Sequence, residues 1–234
     1  MLYLIGLGLN NKGISKEGLN VLDRCHKVFL EGYTVDFPYD LEDLHLGKKK
    51  IIPLSRKEVE SNFLIKEAKG RNVALLVYGS PLFATTHMTL LLDAEEQGIK
   101  TKVVYSSSIF DAIAETGLQL YKFGKIASMP EWSKGYMPDS FIDIVVDNKK
   151  IKAHSLILVD IGLGFKSALD QLDKAAIKKK LKLDKIIICS RLGTEDSQIF
   201  YDNIKNLKKK NVKLPFCIII PDELHFLEKR AIEE

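Results

Sequence analysis

The sequence predicts an α/β protein built in two halves, and three observations carry that expectation. Short apolar runs rich in Val, Ile and Leu alternate with amphipathic stretches, the pattern of strands joined by helical crossovers. Several of those runs end in small glycine-bearing turns. The rhythm breaks once, at 130–138, where two prolines, a glycine and the only tryptophan crowd together as a linker or border loop. The halves are therefore placed at 1–130 and 131–234, each an α/β domain.

In the first half, residues 2–5, 27–30, 51–54, 73–78 and 102–106 read as strands. Ser55-Arg56-Lys57-Glu58 is a capping-box pattern, and the helix it opens carries Val59, Phe63 and Ala68 at core-facing spacing. Thr86 or His87 opens a second helix with Leu90, Leu91 and Ala94 inward, ended by Gly98. Strands separated by helices predict a mostly parallel sheet. After the border loop come a short helix from about 140 and strands at 155–160, 185–189 and 217–220. A longer helix at 167–182 has a stripe of Ala168, Leu172, Ala175, Ala176 and Ile177.

Composition narrows the function classes. Apolar residues are 46% and charged residues 28% of the 234-residue chain, ordinary globular values that argue against disorder. No apolar run approaches the ~20 residues of a bilayer span. The N-terminus lacks the basic leader of a signal peptide. Three scattered cysteines make neither a disulfide framework nor a zinc site. A soluble, cytoplasmic protein with no membrane association and no metal is expected. The net charge of +4 is mild, and the lysine clusters at 48–50, 149–150, 178–180 and 208–210 read first as solvated helix ends. Their sharper reading is steering toward an acidic macromolecular partner. Without interleaved aromatic residues, direct nucleic-acid binding is not expected.

Four turns stand at candidate ligand positions: 5–9, 77–81, 159–162 and 190–193. Open α/β sheets bind ligands just beyond the carboxyl ends of their strands, and glycine there lets the backbone approach closely. The first turn matches the dinucleotide fingerprint only in part. Gly6 and Gly8 fit, Asn11 stands at the third position, and Glu31 falls where a ribose-binding acid would. No P-loop, HExxH or Gly-x-Ser-x-Gly is present. His87 reads as a cap or packing residue. Asp160 reads equally as a ligand anchor or a loop brace. Ser106-Ser107-Ser108 reads as a helix N-cap or as hydroxyls and amides suited to a carboxylate.

These residues together resemble a known family. Leu4-Ile5-Gly6-Leu7-Gly8-Leu9, the Gly-x-Pro-Leu-x-Ala-Thr-Thr-His stretch over 79–87, Ser107-Ser108-Ile109, Thr116-Gly117-Leu118 and Tyr121-Lys122-Phe123-Gly124 are similar to the diphthine synthases. Similar segments follow at Val159-Asp160-Ile161, at Ser190-Arg191-Leu192-Gly193 and from Pro221 to His225, so the resemblance runs from residue 1 to about 230. It implies a fold of two α/β domains of the tetrapyrrole methylase type, with S-adenosyl-L-methionine in the cleft between them. It implies a homodimer that methylates the amino group of a modified histidine of translation elongation factor two, in diphthamide biosynthesis. Carried over motif by motif, the cofactor contacts fall at Leu9, Ser80, Phe83, Ser108, Ile109, Val159, Leu192 and Phe216, mostly through backbone groups. The sequence departs from the family pattern at Ser80, where an Asp is usual, in a short loop after Asp160, and in a chain that stops soon after Ile232.

The resemblance assigns no catalytic residue. The attacking amine must be neutral, and Asp160, His87 and Glu31 are each candidates for a general base. Two other readings are a tetrapyrrole or ribosomal RNA methyltransferase of the same fold and a degenerate, non-catalytic ligand-binding module.

Overall fold

The computed structural model describes residues 1–44, 46, 47 and 49–233; His45, Lys48 and Glu234 lie outside the described residues. Chain contacts gather into two units, Met1–Ile109 and Phe110–Glu234. The stretch 110–130, counted from sequence with the first half, thus belongs to the second unit. Its strand supplies the reason, because it pairs with the second sheet.

The first unit is a five-stranded sheet of β1 (Leu2–Gly6), β2 (Lys27–Glu31), β3 (Ile51–Leu54), β4 (Val73–Val77) and β5 (Thr101–Val104). The order is β3-β2-β4-β1-β5 and every pairing is parallel, as the alternation of strands and helices requires. Side chains alternate strictly. Leu2, Leu4, Phe29, Leu75 and Val77 face one layer with α2 (Arg56–Val59), α3 (Phe63–Glu67) and α4 (His87–Glu96). Ile5, Val28, Leu30, Ala74 and Leu76 face the other with α1 (Lys16–Asp23). A sheet buried on both faces explains why these strands read as continuous apolar runs. The Ser55 capping box is present, with the Glu58 side chain accepting from the Ser55 amide at 2.8 Å. Its helix is broken at residues 60–62 into two short pieces, and Ser61 Oγ–H donates to the Glu58 carbonyl at the break.

Next in the chain come α5 (Ile109–Ala112), β6 (Ala127–Met129), α6 (Ser140–Lys150), β7 (Ser155–Val159), α7 (Phe165–Lys178) and β8 (Ile186–Ser190). Then follow β9 (Gln198–Asp202), α8 (Ile204–Leu207), β10 (Phe216–Ile220) and α9 (Phe226–Glu233). This second sheet is mixed rather than parallel. The order is β6-β7-β10-β8-β9, and only β6 and β7 run parallel. The seven-residue link 191–197 is too short for a crossover helix, so β9 returns as a hairpin, and β10 enters antiparallel between β7 and β8. Phe141, Ile142 and Val145 of α6 and Ala168, Leu169, Leu172 and Ala175 of α7 close one core layer over Ile157, Ile188, Ile218 and Ile220.

Buried polar groups hold the second unit together. Asn148, 2% exposed, accepts from the Lys125 amide at 2.9 Å and donates to its carbonyl at 2.8 Å. Glu228 of α9 is fully buried and accepts four hydrogen bonds: from the Gln119 amide at 2.9 Å, the His225 amide at 2.7 Å, Lys122 Nζ at 2.5 Å and His154 Nε2 at 3.1 Å. His154 Nδ1 accepts from the Asp222 amide at 3.0 Å, which fixes a neutral imidazole protonated on Nε2. Burial also lowers the His154 pKa. For Glu228, burial alone would raise the pKa, but the donors, led by Lys122, outweigh it and hold the carboxyl at about 2.

A folded-state pKa below the unfolded one contributes stability that is complete above the ordinary glutamate range and lost as pH falls toward 2. Glu228→Gln is therefore expected to lower stability at pH 7 by on the order of 2 kcal/mol. Urea unfolding at pH 7 and pH 3 should show the gap between the two proteins narrowing in acid.

Candidate functional site

The candidate site of the first unit follows from its strand order. From β1 the chain moves toward β2, and from β4 it moves the other way toward β5. Right-handed crossovers send those two connections to opposite faces, so the loops after neighbouring β1 and β4 part at the carboxyl edge. Such a switch point is where open α/β sheets hold ligands.

The two turns touch before they part. Gly8 N–H donates to the Gly79 carbonyl at 3.1 Å, and Gly79 N–H returns a bond to the Gly8 carbonyl at 3.0 Å. Both glycines are left-handed, with φ of 70° and 69°. A Cβ on Gly6 would stand 2.6 Å from the Gly79 carbonyl oxygen and 3.0 Å from both Pro81 Cδ and Ser106 Cβ. The loop after β5 joins them through Ser106 Oγ–H, which donates to the Gly13 carbonyl at 2.8 Å. Tyr78 O–H donates to the Leu9 carbonyl at 3.1 Å and packs edge-on against Phe37, which in turn packs against Tyr39. Gly79 itself would accept a Cβ, whose nearest atom would be the Ser107 carbonyl oxygen at an ordinary contact distance of 3.8 Å.

Five of the residues singled out from sequence lie on these loops. Leu9 and Ser108 are buried, at 4% and 6% exposure, and Ser80, Phe83 and Ile109 are half-buried. The other three gather at one edge of the second sheet. Val159 ends β7, Phe216 begins β10, and Leu192 follows β8 by two residues. The ladders bring Leu158 opposite Cys217 and Ser190 opposite Phe216, so Val159 and Phe216 stand in line with the end of β8. Phe216 turns its ring into the core against Phe165, leaving its backbone at the edge. Leu192 is also buried, and Arg191 before it adopts a φ of 52° while its Nε–H donates to the Leu214 carbonyl at 2.8 Å.

The three general-base candidates are all engaged. Asp160 accepts from its neighbour's amide, Ile161, at 3.0 Å and from Glu131 at 3.1 Å, a loop brace. His87 is not a cap. It is 2% exposed, with Nε2 3.0 Å from Glu31 Oε2 and Nδ1 3.0 Å from the Pro81 carbonyl oxygen. Glu31 is fully buried and its second oxygen accepts from Thr34 Oγ–H, an arrangement unlike a solvent-facing ribose acid. Ser106-Ser107-Ser108 precedes only the four-residue α5, too short for a helix-terminus anion site. Among the described residues no group of three His, Cys, Asp or Glu is placed to hold a metal, and no helix is long and apolar enough to cross a membrane. Several of the clustered lysines have carboxylate partners of their own: Lys149 with Asp222, Lys150 with Asp147, Lys179 with Asp143 and Lys208 with Asp170, all within 2.9 Å.

Comparison with known proteins decides what this site belongs to. The tetrapyrrole (corrin/porphyrin) methylase family matches residues 1–208. A diphthine synthase of Methanococcus maripaludis is 33% identical over 249 residues, covering 100% of this chain and 98% of the relative. The chain belongs to the diphthine synthase family. It is therefore an enzyme, a methyltransferase of the tetrapyrrole methylase fold. A crystal structure of a diphthine synthase superimposes with a TM-score of 0.90 at 30% identity, over 99% of this chain and 94% of that one. A human diphthine methyl ester synthase is 42% identical over 165 residues, 69% of this chain and 58% of the relative. The family motifs at 116–124 now have a structural explanation. A Cβ on Gly117 would lie 2.2 Å from Ala231 Cβ, one on Gly124 would lie 2.2 Å from Asn148 Oδ1, and Lys122 holds Glu228.

The two central glycines should respond differently to substitution. Gly6→Ala drives a Cβ into a backbone carbonyl and is expected to cost about 1–3 kcal/mol as overpacking. Gly79→Ala has room, and its cost is the left-handed backbone alone, about 1 kcal/mol. Urea unfolding of the two variants measures both values.

Proposed function

We propose that this chain binds S-adenosyl-L-methionine and transfers its methyl group to the amino nitrogen of the modified histidine of translation elongation factor two, in diphthamide biosynthesis. The observation that carries the reading is the switch point itself. Three loops of the first sheet meet with hydrogen-only clearance at Gly6, on the residues the family motifs single out. Leu9, Ser80, Phe83, Ser108, Ile109, Val159, Leu192 and Phe216 are the proposed contacts. The donor set fits the ligand. It offers carbonyls and amides of glycine turns and the Ser80 hydroxyl.

The sulfonium supplies an already activated methyl group when bound. What the chain contributes is placement. Gly6 and Gly8 let the turns close on one another, Tyr78 fixes the Leu9 carbonyl, and Phe83 N–H bonds the Ser80 carbonyl at 3.1 Å to shape the second turn. The acceptor amine attacks in its neutral form. Glu31 and His87 are committed to each other, so they act as scaffold rather than as base. The enzyme works as a homodimer in the cytoplasm, with no direct contact to nucleic acid.

A second reading rests on the human relative, whose name specifies a methyl ester. On that reading a carboxylate of the modified histidine also accepts a methyl group. Incubation with elongation factor two carrying the aminocarboxypropyl histidine, followed by mass spectrometry, separates the two. N-methyl groups survive mild alkali and esters do not. Transfer to neither group, with calorimetry showing no heat for S-adenosyl-L-methionine or its demethylated product, would overturn the proposal.

Ser80 gives a sharper test. A carboxylate there would attract the cationic ligand more strongly than a hydroxyl, so Ser80→Asp is expected to tighten S-adenosyl-L-methionine binding by about 1 kcal/mol. The uncharged sulfur of the demethylated product should gain less in the same calorimetric titration.

A further inference from the structure

Behind the Ser80 turn lies a buried ion pair that the methyl-transfer reading does not use. Glu31 ends β2 and His87 begins α4; their side chains are 0% and 2% exposed. Charged groups are rarely buried so completely unless they are paired, and a pair of this kind costs more in desolvation than an apolar contact. Its position shows what it does. His87 Nε2 stands 3.0 Å from Glu31 Oε2, while Nδ1 reaches back 3.0 Å to the carbonyl of Pro81, the residue after Ser80. Thr85 Oγ–H donates to the same carbonyl at 2.8 Å. The ring of Pro81 is wedged where a Cβ on Gly6 would meet it. The turn is thus pinned on both sides, by β1 in front and by His87 behind, and Ser80 and Phe83 ride on it.

Resting on the methyltransferase reading, we propose that the Glu31–His87 pair is a positioning device, which grips the Pro81 carbonyl and holds the Ser80–Phe83 turn in the shape that binds the methyl donor. Both ring nitrogens face acceptors, and only the imidazolium carries a proton on each. A neutral ring must leave one lone pair against either the Pro81 carbonyl or the Glu31 carboxylate. The groups around the ring favour the charged form. Glu31 comes from β2, Glu60 follows α2 and is paired with Arg56 of α2 at 2.8 Å, and the Tyr33 phenol lies against Glu31. Burial alone would lower the His87 pKa; the nearby Glu31 carboxylate and the Pro81 carbonyl reverse that and raise it. Because the folded value is raised, the contribution of the pair is complete below the ordinary histidine range and is lost as pH rises through the raised value.

Titration of S-adenosylhomocysteine into the wild type, His87→Gln and Glu31→Gln between pH 6 and pH 9.5 tests the device. Hydrogen exchange of the 80–87 amides on the same three proteins supplies a readout that needs no ligand. His87→Gln is expected to bind about tenfold more weakly at pH 6.5, with a flat pH profile and faster exchange in the turn. In Glu31→Gln the new amide donates to a neutral imidazole whose Nδ1–H still reaches Pro81. Its affinity should lie within about threefold of wild type at pH 6.5 and no longer fall with pH as the wild type's does. If His87→Gln does not fold, the Glu31→Gln profile decides alone. Wild-type and Glu31→Gln profiles of the same shape, or unchanged exchange and affinity in His87→Gln, overturn the device. A wild type that binds no S-adenosylhomocysteine, with exchange still altered in His87→Gln, overturns the methyltransferase reading instead and leaves the grip on Pro81 standing.

Discussion

The first unit depends on the reciprocal backbone pair between Gly8 and Gly79. Here the winding reverses between neighbouring β1 and β4, so their connections go to opposite faces, and their turns interlock without side chains. The hydrogen bonds of 3.1 and 3.0 Å between the two glycines, and the 2.6 Å that a Cβ at Gly6 would leave, show how little room remains. Once that junction is made, other placements follow. Pro81 is held against β1, Ser106 reaches Gly13, and the Leu9 carbonyl comes within reach of Tyr78. Chemistry at such a junction is done by main-chain groups, which leave almost no signature in side-chain identity.

That explains why some features were legible in the sequence and others were not. The first sheet was readable because strands buried on both faces are apolar throughout, and the helices between them force a parallel arrangement. The second sheet was not, since apolar runs carry no direction and a hairpin return needs only a short polar link. Two strands escaped notice for opposite reasons: β6 is three residues long, and β9, Gln198-Ile199-Phe200-Tyr201-Asp202, is an edge strand with no fully buried residue. The residues named through the family likeness fall on loops, strand ends and, for Ile109, the first residue of α5, positions that Leu9 or Val159 could not have announced by chemistry. The Glu31–His87 pair was hidden altogether. Its partners are 56 positions apart in the sequence and each has a bland local reading, so only the fold reveals them as one unit.

Charge in this protein is handled locally. Lysine runs that look in sequence like a basic surface are in part matched with nearby carboxylates, and exposed pairs of that kind contribute little to stability. The carboxylates that matter energetically are the two fully buried ones, Glu31 and Glu228. One lies behind a ligand turn and the other under the last helix, and both have a histidine as partner. The two histidines differ in what faces Nδ1: a carbonyl at His87, which calls for a proton, and an amide N–H at His154, which forbids one. The same side-chain pair is therefore set toward the imidazolium in one unit and toward the neutral imidazole in the other.

The seating of Glu228 bears on how the chain is made. Its bonds to Gln119 and Lys122 join residues 109 and 106 positions apart, and β10, the middle strand of the second sheet, is the last strand synthesised. All five strands of the first sheet lie within the first 104 residues, so that sheet can close on the ribosome while the rest is still being translated. The second sheet cannot. Until β10 emerges, β7 and β8 have no neighbour on their facing edges, and until α9 follows, Lys122 and His154 lack their acceptor. Nascent chains should therefore pass through a long interval with one finished unit and one open, edge-exposed sheet, the form most in need of a chaperone.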